Sequence, residues 1–461
     1  MSYLAALQKY DVIGVVGLGQ SGLSCVRFLL QQGIRPLVFD TRAQPPLADE
    51  LQQLDGSLEL FTGELDIGEL AACDLLVVSP GLDLRLPALQ MAQDAGICLV
   101  GDADIFAHYA QAPVLAITGS NGKSTVTQLT GELLRAAGKN VAVGGNIGVP
   151  MLDVLAPDVE VYVLELSSFQ LDSMHDLKLH AAALLNISDD HLDRYADRHA
   201  YTASKHRIYS NAELGIWNRD QRVTAPQTIP LAQQLSFGRD APDNEVPGLF
   251  GLCQGDDELF ICVADEPLIA ASELQLAGVH NLLNVQAALA LVLSMGIELT
   301  KVLPALRAFK GLPHRCELVA DSDGVRWIND SKATNIGAAE AAIEGLRPLV
   351  TGKLILIAGG DGKGADFVTF RSALQLVDEL IVLGRDADRI AQHHDQVTQV
   401  QDLTEAVRLA DKLATRNSAV LLAPACASLD MFKNYQDRGE QFKTAVLEQL
   451  QENQAQEVPH D

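Results

Sequence analysis

Val114-Leu-Ala-Ile-Thr-Gly119-Ser-Asn-Gly-Lys-Ser-Thr125 joins an apolar run of strand length to a helical pattern carrying Val126, Leu129, Leu133 and Leu134. A glycine-bearing turn in that place presents unpaired backbone N–H groups to an anion, and the helix dipole favours negative charge there. Lys123 adds a mobile positive charge for outer phosphates, and Ser124 and Thr125 offer hydroxyls to Mg2+. Gly119, Ser120, Asn121 and Gly122 complete the cradle. Ile117 stands where the first glycine of G-x-x-x-x-G-K-[ST] belongs, so the spacing is incomplete. The stretch still predicts a phosphate-binding loop in an α/β unit.

At 461 residues the chain has room for about three domains, and a hydrophobic content of 48% supplies several cores. The formal charge of −26, from 34 Lys+Arg against 60 Asp+Glu, argues against a nucleic-acid partner or an anionic membrane surface. It does not exclude nucleotides, because screening over about 8 Å lets a local cluster of cations outweigh distant carboxylates. Seven cysteines without a C-x-x-C pair read as small buried hydrophobes in a reducing compartment, forming neither a zinc site nor a disulfide frame. The start, Met1-Ser-Tyr-Leu-Ala-Ala-Leu-Gln-Lys-Tyr10, is too short and polar for a signal peptide, and no apolar run approaches a membrane span. A soluble cytoplasmic protein is expected.

The first domain is expected over residues 1–100. A strand (12–16) leads into Gly17-Leu-Gly19-Gln-Ser-Gly22 and a helix through Leu30; a second strand (36–39) ends at Asp40-Thr41-Arg42. This pattern resembles the Rossmann fingerprint, with an acid about 20 positions after the glycine loop. Taken alone it fits a nicotinamide-binding redox or sensor protein, or a loop serving tight strand–helix packing. A further strand (75–78) runs into Ser79-Pro80-Gly81.

The second domain is expected over 101–311 and holds the phosphate loop. After it come a strand (141–143) with Asn146 following, a buried strand (159–165) ending in Glu165, and a strand (181–188) ending in Asp189-Asp190-His191-Leu-Asp193. Neighbouring parallel strands about 4.8 Å apart could bring Glu165 and His191 beside the phosphate loop. Lys205 lies in a helical pattern, where a lone lysine is ordinarily solvated. Residues 245–278 read as a small β region, and Val279 opens a helix with Asn281 and Asn284 on one face. The third domain, 312–461, alternates strands (317–320, 325–328, 354–358, 379–383, 420–423) with helical patterns. Its turns include Asn329-Asp330-Ser331-Lys332-Ala-Thr334, Gly359-Gly-Asp-Gly-Lys363 and Pro424-Ala-Cys-Ala-Ser428. A polar tail follows from about Gln451.

Taken together, 118–125, Glu165-Leu-Ser-Ser168, 189–193, Gly278-x-His-Asn-x-x-Asn284, Gly311-Leu-Pro-His-Arg315 and 329–335 resemble the Mur ligases in order and spacing over nearly the whole chain. Gly359 to Phe367 and Pro424 to Asn434 look most like members that add D-glutamate to UDP-N-acetylmuramoyl-L-alanine. Another Mur ligase and a folylpolyglutamate synthetase-like amide ligase stand as neighbouring readings.

The resemblance implies an α/β architecture of three parts: a Rossmann-like N-terminal domain, a central P-loop ATPase-type domain with a small extra β region, and a Rossmann-like C-terminal domain. It implies a monomeric cytoplasmic ATP-dependent ligase acting through an acyl phosphate, with two Mg2+ sites. Lys123, His191 and Lys205 would be catalytic. Ser124, Glu165, His191 and a carbamylated Lys205 would hold metal. Asn281, Asn284, Arg315, Asp330 and Lys332 would join 119–125 around ATP. Ser21, Asp40, Thr41, Arg42, Ser79, Gly81, Asn146 and His191 would contact the UDP substrate. Thr334, Lys363, Ser428, Leu429 and Tyr435 would form the D-glutamate pocket.

Overall fold

The computed structural model describes residue 4 and residues 6–188, 190, 194–242, 250–255, 258–264, 266–276 and 278–457. His191, expected to touch metal and substrate, lies outside them together with Asp189, Leu192 and Asp193. By packing, the chain divides into two compact units: Met1–Cys253 with Cys262–Leu268 and Gln286–Ala305, and Gln254–Ile261 with Ile269–Val285 and Leu306–Asp461.

The first unit contains two parallel sheets. One comprises β1 (Ile13–Val16), β2 (Leu37–Asp40), β3 (Leu60–Thr62), β4 (Leu75–Val78) and β5 (Cys98–Val100), in the order β3-β2-β1-β4-β5. β1 and β4 are apolar and buried along their length, as strands covered on both faces must be. The order reverses between β1 and β4, so the loops after these two strands share one end of the sheet, the usual ligand crevice of open α/β sheets. Gly22 opens the helix Gln20–Gln31 there; a Cβ on it would lie 1.8 Å from the Gly17 carbonyl oxygen, so no larger residue fits.

The other sheet comprises β6 (Val114–Thr118), β7 (Val141–Gly145), β8 (Val161–Glu165), β9 (Leu179–Leu184), β10 (Ala212–Asn218) and β11 (Gln234–Phe237), in the order β11-β10-β9-β6-β8-β7. Contrary to the expectation that they adjoin, β8 and β9 are not neighbours; they flank the phosphate-loop strand β6 on either side. β9 also stops at Leu184 instead of 188, and from Asn186 onward side chains take over from the backbone ladder. Asn121 N donates to Asn186 Oδ1, Ile187 N to Gln221 Oε1, and Ser188 N to Ser120 Oγ. Val15, Val26, Phe106, Tyr162 and Leu164 belong to one continuous core that both sheets share.

A three-stranded sheet follows, β12 (Phe250–Gln254), β13 (Leu259–Val263) and β14 (Glu266–Ala270), within the expected β region. Cys253 and Cys262, on β12 and β13, are joined as a disulfide, which corrects the expectation of unpaired thiols. Sequence spacing says nothing of which strands adjoin, and here adjacency brings the two sulfurs together.

The second unit is built on β15 (Glu317–Ser322), β16 (Val325–Asn329), β17 (Leu354–Gly359), β18 (Glu379–Leu383), β19 (Val397–Gln399) and β20 (Ala419–Leu422). Their order is β15-β16-β20-β17-β18-β19, parallel apart from the β15–β16 hairpin. Apolar clusters cover both faces, with Leu356 and Phe370 in one and Trp327 and Phe442 in the other. The last helix, Tyr435–Glu457, continues past Gln451 into the polar tail. No helix among the described residues is long and apolar enough to cross a membrane.

Candidate active site

The phosphate loop is held open by its own neighbours. Gly122, at φ 82°, caps the helix Lys123–Ala136 in the left-handed region that disfavours residues with a Cβ. Ser120 N donates to Asn186 O at 2.9 Å, and Asn186 Nδ2 donates to Asn121 O at 2.9 Å. Ser120 Oγ sits 3.1 Å from the Tyr201 hydroxyl. Lys123 Nζ lies over the loop, donating to Gly119 O and Ser120 O at 2.9 Å each. Ser124 and Thr125 are buried at the helix start.

Glu165 ends β8 beside this loop and is 2% exposed. Asn146 grips it twice, by Nδ2 to Oε1 at 2.7 Å and by its backbone N to the Glu165 carbonyl at 2.8 Å. Oε2 is buried with no hydrogen-bond partner among the described residues. A buried carboxylate oxygen left in that state is costly. A hard divalent cation taking oxygen ligands, with the Ser124 hydroxyl, answers that deficit, so the residues fit Mg2+.

Lys205, on the helix Arg198–His206, is not the solvated residue a lone lysine would ordinarily be. It is 2% exposed, and its Nζ donates to Gly119 O at 2.9 Å, the same carbonyl that Lys123 uses. The Tyr201 ring lies 4.7 Å from it. Burial, and next the Lys123 charge, push the Lys205 amine well below the usual lysine range, against the opposing pull of Asp190, Glu165 and Asp172. Lys123, Glu165, Asn146, Lys205 and the loop 119–125 are thus brought together.

At the end of the first sheet, Asp40 is buried and fully engaged. Its Oδ2 accepts from Leu18 N at 2.7 Å, and Arg42 donates to both oxygens through Nε and Nη2 at 2.8 and 2.6 Å. Burial alone would raise the Asp40 carboxyl; Arg42 and the Leu18 amide outweigh it and hold the group below the usual carboxylate range. Asp40 therefore shapes the glycine loop and aims Arg42. Ser79 Oγ ties to Gly17 O at 2.8 Å. Thr41 lines a largely apolar cleft of about 380 Å3 with Leu65, Ile67, Leu86 and Met91. Ser21, in the first turn of the helix Gln20–Gln31, and Gly81, in the loop after β4, lie at this same end of the sheet.

The second unit gathers its own set. Asn281 and Asn284 are buried on the helix Val279–Ser294, and Asn284 Nδ2 donates to Asn281 Oδ1 at 3.1 Å. Asp330 follows β16; its Oδ1 accepts from Cys316 N at 3.3 Å, and burial pushes it up to about 6 against the Cys316 amide and the Arg315 charge. Lys332 Nζ lies 4.1 Å over the Tyr435 ring, and Thr334 N donates to Lys332 O. Asp361 and Ala427 exchange backbone hydrogen bonds, which sets the Lys363 loop beside the loop of Ser428 and Leu429. Ser428 is buried, whereas Leu429 is 72% exposed.

Arg438 lies outside every motif legible in the sequence. It is 2% exposed and donates to Ser331 Oγ, Ser331 O and Cys426 O at 2.9, 2.7 and 3.1 Å, pinning the loops after β16 and β20. An arginine in a polar helical stretch carries no local mark of burial; only tertiary packing reveals it. His314 lies within the Gly311-Leu-Pro-His-Arg315 motif. It is buried, its Nδ1 accepts from Asn329 Nδ2 at 3.0 Å, and desolvation holds its pKa below the usual imidazole range.

Three family models match the chain: the Mur ligase MurD-like N-terminal domain over residues 11–101, the Mur ligase middle domain over 117–292, and the Mur ligase glutamate ligase domain over 314–426. Among curated relatives, a UDP-N-acetylmuramoylalanine–D-glutamate ligase of Idiomarina loihiensis is 45% identical, covering 96% of this chain and 97% of its own. One of Pseudomonas savastanoi pv. phaseolicola is 50% identical over 94% and 97%. Among solved structures, a pseudomurein peptide ligase type C from Methanothermus fervidus superposes with a TM-score of 0.60 at 18% identity, covering 95% of this chain and 100% of that one. A UDP-N-acetylmuramate-alanine ligase from Thermotoga maritima gives 0.59 at 19% over 96% and 99%. These structural likenesses carry the fold.

Proposed function

The chain belongs to the Mur ligase family, and from that premise we propose that it is the ATP-dependent ligase joining D-glutamate to UDP-N-acetylmuramoyl-L-alanine in the cytoplasm, a step of peptidoglycan precursor synthesis. Near-full-length identity of 45–50% to relatives bearing that activity in their names supports the substrate pair. One geometric observation supports the chemistry: two amines, Lys123 and the buried Lys205, meet at the Gly119 carbonyl beside a carboxylate with an unsatisfied oxygen.

A carboxylate does not condense with an amine unaided, because its negative charge repels the nucleophile and oxide is a hopeless leaving group. In the proposed reaction an oxygen of the L-alanine carboxylate attacks the γ-phosphorus of ATP and ADP leaves. The D-glutamate amine then attacks the acyl carbon, and phosphate departs from the tetrahedral species as the amine loses its proton. Both stages concentrate negative charge, so the protein's work is positioning and compensation. Lys123 and the loop amides hold the β- and γ-phosphates. Ser124 and Glu165 would hold Mg2+, which would supply a further positive charge for phosphoryl oxygens. His191 is assigned to a second metal site, and Arg315, Asp330, Lys332, Asn281 and Asn284 to the nucleotide.

Lys205 acts as a carbamate in this reading. A depressed amine is available uncharged, its nitrogen adds to CO2, and a proton is released; the product is an anion suited to a cation-rich site. Ser21, Thr41, Arg42, Ser79, Gly81 and Asn146 contact the UDP substrate, with Asp40 steadying Arg42. Thr334, Lys363, Ser428, Leu429 and Tyr435 form the amino-acid pocket. The domains divide at about residues 100 and 311.

The test is phosphate release with each substrate withheld in turn. Release that requires ATP, UDP-N-acetylmuramoyl-L-alanine and D-glutamate together is expected; release sustained by a different amino acid, or with the UDP substrate omitted, rejects the assignment.

A further inference from the structure

Arg194 sits three residues beyond His191 in sequence, and its side chain reaches the loop that follows β4. Nη1 donates to Gly81 O at 3.0 Å and Nη2 to Leu82 O at 2.9 Å, while Nε lies 3.8 Å from Asp83 Oδ2. The guanidinium stacks 4.4 Å above the Phe169 ring. The loop answers in kind: Arg85 Nη2 donates to the Arg194 carbonyl at 2.7 Å and to Asp83 Oδ2 at 2.7 Å. The next residue faces the other way. The Tyr195 hydroxyl donates to Asp172 Oδ2 at 2.7 Å and lies 3.2 Å from Ser204 Oγ, one residue before Lys205. Ser204 Oγ in turn donates to the Ser168 carbonyl at 3.0 Å.

We infer that Arg194 is a positioning residue that makes nucleotide binding at the phosphate loop sensitive to occupancy of the first-domain pocket. Two neighbouring side chains span the distance between the two substrate regions. Arg194 grips the carbonyls of the Ser79–Leu82 loop, whose serine also fastens the glycine loop at Gly17. Tyr195 grips the helix that presents Lys205. A planar fork fixed on two carbonyls and stacked on a ring has little freedom to reorient. A ligand that settles the Gly81 loop therefore settles Arg194 and its neighbour Tyr195, and with them the helix that presents Lys205. The inference rests on the proposed reading in assigning the UDP substrate to the first pocket and ATP to the second.

The experiment measures binding of a non-hydrolysable ATP analogue, AMP-PNP, to the full chain with and without UDP-N-acetylmuramoyl-L-alanine. The wild type should bind the analogue about 5-fold or more tightly when the UDP substrate is present, the range of ordinary coupling between sites. In Arg194→Ala that factor should fall to about 1 and kcat should drop about 10-fold or more. UDP alone and AMP-PNP alone should each bind within about 3-fold of wild type, which a folding defect would not allow. Arg194→Lys, which keeps the charge but not the two-carbonyl fork, should recover part of the coupling. Arg85→Ala, on an exposed side chain, should weaken it in the same direction without risk to the core. Absent coupling in the wild type, coupling preserved in Arg194→Ala, or binary affinities that fall in step with kcat would each overturn the inference. Failure of the wild type to release phosphate from these substrates would overturn the proposed function instead.

Discussion

Burying an amine beside another cation is unfavourable for folding, and Lys205 bears that cost next to Lys123. Because its folded pKa is depressed below the unfolded value, the penalty is full below the folded pKa and fades as pH rises toward the ordinary lysine range. Lys205→Met, which keeps the volume and removes the charge, should therefore abolish turnover and, against wild type in CO2-free buffer where the amine is unmodified, raise the melting temperature at neutral pH. A mutant that melts lower, or that still turns over, contradicts this. Lys205→Ala should regain partial activity from added short-chain carboxylic acids, which replace the carbamate oxygens. Asp102 has the opposite sign. It is 2% exposed, accepts from Gln170 Nε2 at 3.3 Å, and is pushed up to about 6 by burial. Its folded value exceeds its unfolded one, so its contribution to stability is present below the ordinary carboxylate range and is lost as pH rises through about 6. Asp102→Asn keeps an acceptor for Gln170 and should gain up to about 3 kcal/mol above that window. Urea denaturation at pH 4 and 7.5 checks it; an equal gain at both would show that protonation is not the cause.

Among elements, the strand–loop–helix at residues 13–31 depends most on a single backbone contact. Gly22 approaches the Gly17 carbonyl so closely that a methyl group there would overlap the oxygen, and Ser79 Oγ lies 2.8 Å from the same point. No rotamer relieves a clash with backbone, so the helix must shift, at a cost of about 1–3 kcal/mol. Gly22→Ala should weaken UDP binding about 10-fold while leaving AMP-PNP affinity within about 2-fold. Equal losses at both would mean that the damage spreads through the shared core. The same scale shows why some elements were legible and others not. β1, β4, β6, β8, β17, β18 and β20 are short apolar runs bounded by turns, and their periodicity is a local property. β3, β5, β11 and β19 are edge strands of three or four residues, too short and too mixed to stand out. The sequence pattern carries β9 too far because Leu185 and Ile187 are as apolar as a strand, yet the backbone amides of Ile187 and Ser188 donate to the side chains of Gln221 and of Ser120 in the phosphate loop.

Over the whole molecule, −26 formal charges must be accommodated on a chain whose substrates are themselves anions. Net repulsion acts against the compact state and is screened as salt is added. Between roughly 10 mM and about 100 mM NaCl the screening length falls from about 30 Å to about 10 Å. The melting temperature should rise by several degrees over that interval; a flat or falling trend would show that local ion pairs such as Arg42–Asp40 and Lys353–Glu379 outweigh the global field.

The sequence alone determined what lies within a turn or two of itself: the phosphate loop and its helix, the glycine loop and its strand, the α/β rhythm, and the residue types on which the family resemblance rests. Those signals survive because backbone conformation and amphipathic period are set by adjacent residues. Tertiary structure decided which of these pieces meet. It set β6 between the strands bearing Glu165 and the Asp190 segment, folded Asn146 onto Glu165, and buried Arg438 under two loops. It also carried Lys205 across 86 positions to the Gly119 carbonyl. Burial of a polar group is a property of its surroundings, and those surroundings come from distant parts of the chain.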